Sequence, residues 1–187
     1  QIKPGGTLTA NGSALSPIVL TGIRDSSQGG ATVDPALFGN SFPGEWNGIQ
    51  VLSGGNLVMS RSDLRFGTRE IEIFDSSAAL QNVTFSSASL TGLSAPSASG
   101  LGLANLIFQN NTVGMDLGGQ VPASFANLLF KENHTGLRLS GSGHPAISSV
   151  TFLANQIPIE IRPNVFIESL SDFSLVANRV QAIVVNP

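Results

Sequence analysis

The sequence contains no cysteine and no tyrosine, a single tryptophan, and only 11% charged residues. Without cysteine there is no disulfide framework of the kind that staples small secreted domains, and no thiolate to build a structural zinc site. The two histidines, His134 and His144, lie ten residues apart with no cysteine and no second acidic partner nearby; they read as corner residues rather than metal ligands. No apolar run within these residues approaches the roughly 18 needed for a membrane-spanning helix, and no signal-peptide pattern is present among them. The net charge is −3 and there is no basic tail, so the overall balance gives non-specific nucleic-acid binding no support. No cofactor-binding motif occurs, and no cofactor is expected.

What the sequence does have is a period of about 22 residues. One apolar column runs Ile49, Ile71, Leu93, Met115, Leu137, Ile159, each followed two residues later by Val51, Ile73, Ala95, Leu117, Leu139 or Ile161. A second runs Phe66, Phe85, Phe108, Phe130, Phe152, Leu175, and a third Met59, Leu80, Leu103, Phe125, Ile147, Leu170. Self-similarity at a short fixed period is the signature of a solenoid, in which each turn buries its inward side chains against the turns before and after.

Within each repeat the pattern alternates with period two. Thr135-Gly136-Leu137-Arg138-Leu139, Ala146-Ile147-Ser148 and Val150-Thr151-Phe152 are short alternating runs separated by Gly, Ser, Pro and Asn. Such runs read as strands. Three of them per turn, stacked at about 4.8 Å, make an all-β parallel β-helix. About 7–8 turns of this period are expected. Leucine-rich repeats share the period, and Leu128-Leu129-Phe130-Lys131-Glu132-Asn133 fits their core motif. They require a helical or turn segment after the Asn. Here Gly136 to Leu139 alternates and Gly141-Ser142-Gly143-His144-Pro145 is unsuited to a helix, so the β-helix is favoured.

Asn111, Asn133, Asn155 and Asn178 each follow the third strand at the same place. Asn tolerates the left-handed conformation and bonds neighbouring backbone, so these four are assigned to tight corners and to a hydrogen-bonded ladder along the solenoid. Asn82-Val83-Thr84, Asn110-Asn111-Thr112 and Asn133-His134-Thr135 also fit the glycosylation sequon, a pattern common by chance.

The period fails between Ile23 and Glu45, which is read as a long loop insertion. Asp25 and Asp34 in this stretch match no defined calcium loop. Phe38, Phe42 and Trp46 are expected to fold it back over the solenoid or to cover its end. Residues 1–187 are taken as a single β-helix domain. Neither end carries a recognisable cap, and the expectation is a piece of a longer chain.

Gly12-Ser13-Ala14-Leu15-Ser16-Pro17-Ile18-Val19-Leu20-Thr21, then Arg24-Asp25, then Pro43-Gly44-Glu45-Trp46-Asn47-Gly48-Ile49 resembles the entry turns of right-handed parallel β-helix (pectate-lyase-like solenoid) proteins of bacterial surfaces. That resemblance implies the fold and a secreted or cell-surface setting. It does not choose among lyases, hydrolases, adhesins and parts of surface assemblies. By the same resemblance Trp46 packs on the loop or flank; the alternative is a sugar-stacking platform. Galacturonan hydrolases of this group carry three Asp residues, a G-H-G and an R-I-K; Gly143-His144 meets only part of that, and no R-I-K occurs. Nor is there the Arg or Lys base beside acidic calcium ligands that lyases of the group use.

Two charged features remain. Gln50, Glu72, Ser94, Asp116, Arg138 and Glu160 form an outward column whose last three members alternate in sign. Asp116 and Glu160 stand two turns apart, roughly 9.5 Å by the strand spacing, near the carboxylate separation of inverting glycosidases. Arg138 between them, however, is expected to hold both ionised, which a general acid cannot be. The densest cluster is Arg61, Asp63, Arg65 and Arg69 with Glu70 and Glu72; the alternation places Arg61, Asp63 and Arg65 on one face. Arg61, Asp63, Arg65, Arg69 and Trp46 are therefore the candidate ligand-binding residues, either for an acidic sugar or phosphate or as a self-satisfied network. The third-strand outward column is read as Arg65, Thr84, Ile107, Leu129, Thr151, Ser174, with Ile107 and Leu129 a small apolar patch. The function expected is a non-catalytic extracellular or cell-surface module, structural, adhesive or ligand-presenting. Its expected partners are a glycan, another surface protein or the rest of its own chain. The alternatives are a fragment of a polysaccharide lyase or glycoside hydrolase, and a pilus- or uptake-associated module binding DNA or glycan.

Overall fold

A computed structural model describes residues 1–27, 33, 35–118, 123–141, 146–179 and 183–185. In chain order the elements are β1 (Thr7–Asn11), β2 (Ile18–Leu20), a single helical turn α1 (Pro35–Phe38), β3 (Ile49–Val51), β4 (Asn56–Arg65), β5 (Arg69–Ile73), β6 (Ser77–Ser86), β7 (Thr91–Ala95), β8 (Gly100–Gln109), β9 (Val113–Gly118), β10 (Ala123–Lys131), β11 (Thr135–Ser140), β12 (Ala146–Leu153), β13 (Ile157–Ile161), β14 (Ser169–Val176) and β15 (Ile183–Val185). Strands β3, β5, β7, β9, β11, β13 and β15 form one parallel sheet. The other contains β1, β4, β6, β8, β10, β12 and β14, with β2 also paired to β4. Every strand pairs with its counterpart one turn away, which defines a parallel β-helix. The β-strand β11 over 135–140 rules out the helical segment that a leucine-rich repeat needs there.

Six full turns separate β3 from β15, with a partial turn ahead of them. The count falls short of 7–8 because the described residues between β2 and β3 add no rung. The three strands expected per turn are two by hydrogen bonding. The second and third run together as one long strand bent at a single left-handed residue: Arg61 (φ 47°), Asn82 (54°), Asn105 (54°), Asn127 (55°), Ser149 (54°) and Asp172 (48°). The register skips that residue, so Ser60 faces Gln81 and Ser62 faces Val83.

The inward columns follow the sequence period closely. Ile49, Ile71, Leu93, Met115, Leu137 and Ile159 are in register, and the column continues to Ile183. Phe85, Phe108, Phe130 and Phe152 stack with ring centroids 4.8, 4.9 and 5.0 Å apart, within 6–11° of parallel. That spacing equals the strand separation, so the rungs themselves set an offset stack. One member differs from expectation. Leu64, not Phe66, stands over Phe85; Phe66 lies at the following corner with φ 61°. The same two-residue shift puts Asp63, not Arg65, over Thr84 in the outward column.

The stack requires a glycine column beside it. A Cβ on Gly114 would stand 2.6 Å from the Gly136 carbonyl and 2.9 Å from the Phe130 ring. Gly92 and Gly136 meet the same obstacles one turn either way. At the corner after the stack the Asn ladder forms as expected: Nδ2 of Asn111, Asn133 and Asn155 donates to Oδ1 of the next Asn at 3.1, 3.0 and 3.1 Å. The Asn133 Nδ2 also donates to the Phe108 carbonyl at 2.9 Å. The left-handed residue is not the Asn, however, but the one before it: Asn110 (φ 56°), Glu132 (56°), Ala154 (56°) and Ala177 (54°). The bend lets the Asn side chain turn inward, where Asn111, Asn133 and Asn155 are buried.

Candidate ligand-binding surface

Ahead of β3, residues 44–46 dock on one corner of the solenoid, residues 65–68. Gly44 and Glu45 N–H donate to the Phe66 carbonyl (3.0 and 2.8 Å), and Thr68 N–H donates to the Trp46 carbonyl (2.7 Å). Trp46 pairs with Gly67 as an isolated bridge, its indole N–H donates to the Arg65 carbonyl at 2.7 Å, and its ring packs on the core. This is the packing role expected of it. Phe42 is exposed and carries the Arg24 guanidinium 4.9 Å above its ring. The Phe38 side chain, Asp34 and His144 lie outside the described residues; His134 occupies a corner, exposed.

The candidate cluster divides. The left-handed bend takes Arg61 out of the alternation that would group it with Asp63 and Arg65, and leaves it exposed at the strand bend. Arg65 is held from three sides: Asp63 (3.2 Å), the Ser27 hydroxyl (3.0 Å) and Asp25 (3.8 Å). Arg69 points to the other sheet, 3.5 Å from Glu72. Asp25 is the residue that sequence reasoning undervalued. It accepts hydrogen bonds from the Thr21 hydroxyl (2.7 Å) and the Ser27 N–H (3.0 Å). Burial works to raise its carboxyl, but these hydrogen bonds and the Arg65 charge outweigh burial and hold it below its ordinary value. On the loop's other arm Glu45 accepts from the Arg24 N–H at 3.1 Å, and its second oxygen, buried without a hydrogen bond, occupies the space a side chain at Gly22 would need. Beside the docked loop runs a groove of about 460 Å³ lined by Asp63, Arg65, Thr84, Ile107 and Gln109 among others. The paired aliphatics Ile107 and Leu129 are half-buried, in register one rung apart.

On the opposite sheet the outward column is a ladder. Gln1 bonds Gln50 (2.7 Å) and Gln50 bonds Glu72 (3.0 Å). Arg138 donates to Glu160 at 2.8 Å and to Asp116 at 3.4 Å, and Arg162 adds a contact to Glu160 at 3.4 Å. Glu160 is lowered: burial opposes, but Arg138 and Arg162 prevail. Asp116 departs from expectation, because desolvation outweighs its longer bond to Arg138 and raises it.

Two features escape a reading of the sequence alone. Asn105 Nδ2 donates to Asn82 Oδ1 (3.2 Å) and Asn127 Nδ2 to Asn105 Oδ1 (3.1 Å), a second, outer amide ladder at the strand bends. Its signal was there in Gln81-Asn82-Val83, Ala104-Asn105-Leu106 and Ala126-Asn127-Leu128. The other is Glu70, completely buried in the position that Gly92, Gly114 and Gly136 occupy in later turns.

These observations define the class: a parallel β-solenoid whose described surface charges are largely neutralised in place. Residues 47–185 match the family described as the right-handed β-helix region, and the chain belongs to that family. No curated protein and no solved structure matches it. No described helix is long and apolar enough to cross a membrane.

Proposed function

We propose that the chain is a non-catalytic β-helix module of a secreted or cell-surface protein, structural, adhesive or ligand-presenting in role. The observation that carries this reading is the pairing of the outward charges. Asp116, Arg138, Glu160 and Arg162 bind one another along one sheet, and Asp25, Asp63 and Arg65 do so beside the docked loop. A surface so arranged is stiff and keeps its carboxylates occupied. A glycan or another surface protein remains the partner class such a flank suits, with the groove at Asp63 and Arg65 as the place to look.

A second reading, a fragment of a polysaccharide-cleaving enzyme, draws on one observation: Asp116 is raised while Glu160 is lowered. Opposite shifts in two carboxyls are what acid–base pairs require. Against it, the Arg138 guanidinium touches both carboxylates, at 3.4 and 2.8 Å, and stands in register between them. Incubation with pectin, alginate and neutral polysaccharides followed by a reducing-end assay decides between the readings. No turnover is expected. Turnover that disappears in Asp116→Asn would establish the enzyme and overturn the module.

A further inference from the structure

We propose that Glu70 is a proton-operated latch beneath the corner on which Gly44, Glu45 and Trp46 dock: protonated, it keeps these residues seated, and deprotonation releases them. The geometry is unusual for a carboxyl group. Glu70 is completely buried, and neither oxygen makes a hydrogen bond of good geometry. The Asn ladder explains how the site arose. Its column continues backward from Asn111 to Ala88, whose N–H donates to Asn111 Oδ1 at 2.8 Å, and then to Gly67. Neither residue has an amide side chain, and Glu70 fills the space: its Cγ stands 2.8 Å from where a Gly67 Cβ would be.

Among the described residues no cation compensates it. The ionisable groups on the neighbouring elements are turned elsewhere: Arg65 to Asp63, Ser27 and Asp25, Arg69 to Glu72, and Glu45 to Arg24. Residues 86–93, one rung on, contain no ionisable side chain. Burial accordingly pushes the Glu70 carboxyl well above its usual range, only partly offset by the backbone of Gly67 and Ser86. A bare carboxylate in this place must find water or a cation, and the backbone its side chain lies against is Gly67, in the 65–68 corner.

That corner is the docking site of the loop. The carbonyls of Arg65 and Phe66, the bridge at Gly67 and the Thr68 N–H all bind residues 44–46. Displacing these residues unseats Trp46 and, through the Glu45–Arg24 contact, pulls on Asp25 and Ser27, which leaves the Arg65 guanidinium in the groove held by Asp63 alone. The latch thus couples a proton to the availability of an anion-binding group. It extends beyond the module reading and does not depend on it.

Trp46 is the only tryptophan and there is no tyrosine, so intrinsic fluorescence reports this corner alone. The chain is titrated between about pH 5 and pH 10, following Trp46 emission, exchange of the Gly44, Glu45 and Thr68 amide protons, and far-UV dichroism. In wild type the emission shifts to the red and the three amides lose protection as pH rises, while the dichroism of the solenoid persists. In Glu70→Gln the emission stays put and protection persists at every pH. Identical titrations in the two proteins, or no transition in wild type, overturn the latch. Should Glu70→Gln fail to fold, wild type labelled with ¹³C at its glutamate carboxyls gives the answer. One carboxyl titrating far above the others, in step with Trp46, supports the latch; all titrating in the ordinary range overturns it.

Discussion

A phenylalanine in the middle of this core has its own kind above and below. Phe130 is fully buried between Phe108 and Phe152, so truncating it to Ala removes its own transfer energy and strips one ring face from each neighbour. The expected loss is about 3–5 kcal/mol, read as a fall in the denaturation midpoint at unchanged slope. A loss under about 1 kcal/mol would mean that the column does not carry the core. This stack was legible because an aromatic recurring at a fixed interval marks a position that every turn buries in the same way. Leu64 was not, since Phe66 two residues on offered a better chemical match to the column than the residue that fills it. The left-handed corners were hidden for a different reason. Asn110, Glu132, Ala154 and Ala177 share a backbone angle and no side-chain chemistry, and a demand on φ alone leaves little trace in residue identity.

Strands here are held to their places by what their neighbours lack. Gly114→Ala in β9 drives a methyl into the Gly136 carbonyl and the Phe130 ring, an overpacking worth about 1–3 kcal/mol. Gly102→Ala in β8 meets nothing within 4 Å and should be neutral or stabilising by up to about 0.5 kcal/mol. Thermal unfolding of the two variants separates a packing requirement from a mere preference for glycine. Equal effects would mean that the glycine column plays no part in seating the stack. The docked loop carries its own pH dependence. Asp25 is held below its unfolded value, so its contribution is present above the ordinary Asp range near pH 3.8 and fades as pH falls through the lowered folded value. Acid should therefore loosen the 21–27 arm from Arg65, and Asp25→Asn should abolish that acid sensitivity, followed by exchange of the Ser27 N–H bonded to Asp25. Persistence of the acid transition in the variant would assign it to another carboxyl. Legibility at this scale was uneven. Alternation marked the strands, but period two cannot tell a corner between strands from a bend within one, so Arg61 was placed on a face it does not share.

Across the whole molecule, the period made the architecture readable before any coordinate: several columns of side chains repeat together, and the chain can satisfy them all only by coiling. The candidate site was far less readable. Arg65 is answered by Asp25 and Ser27 from 38 to 40 residues earlier, within a stretch that obeys no period. A contact of that kind leaves no trace in the order of residues, because nothing repeats to reveal it. The same contrast governs Glu70, legible only as an exception to a glycine column that itself had to be seen first.

The nearest-neighbour character of the rungs has a consequence for genes. Successive rungs place apolar side chains at the same inward positions (Met115 and Leu137, Leu117 and Leu139, Phe130 and Phe152), with the same glycine (Gly114, Gly136) and the same ladder Asn (Asn133, Asn155) in register. An in-frame duplication of one rung's coding segment therefore inserts a turn that fits both its new neighbours, lengthening the rod by about 4.8 Å with every junction already solved. A duplication that starts or stops partway along a rung shifts the glycine and asparagine columns out of line and exposes apolar side chains. Recombination can thus lengthen or shorten such a protein in whole turns, and the sequence of each surviving turn bears the mark of the one it was copied from.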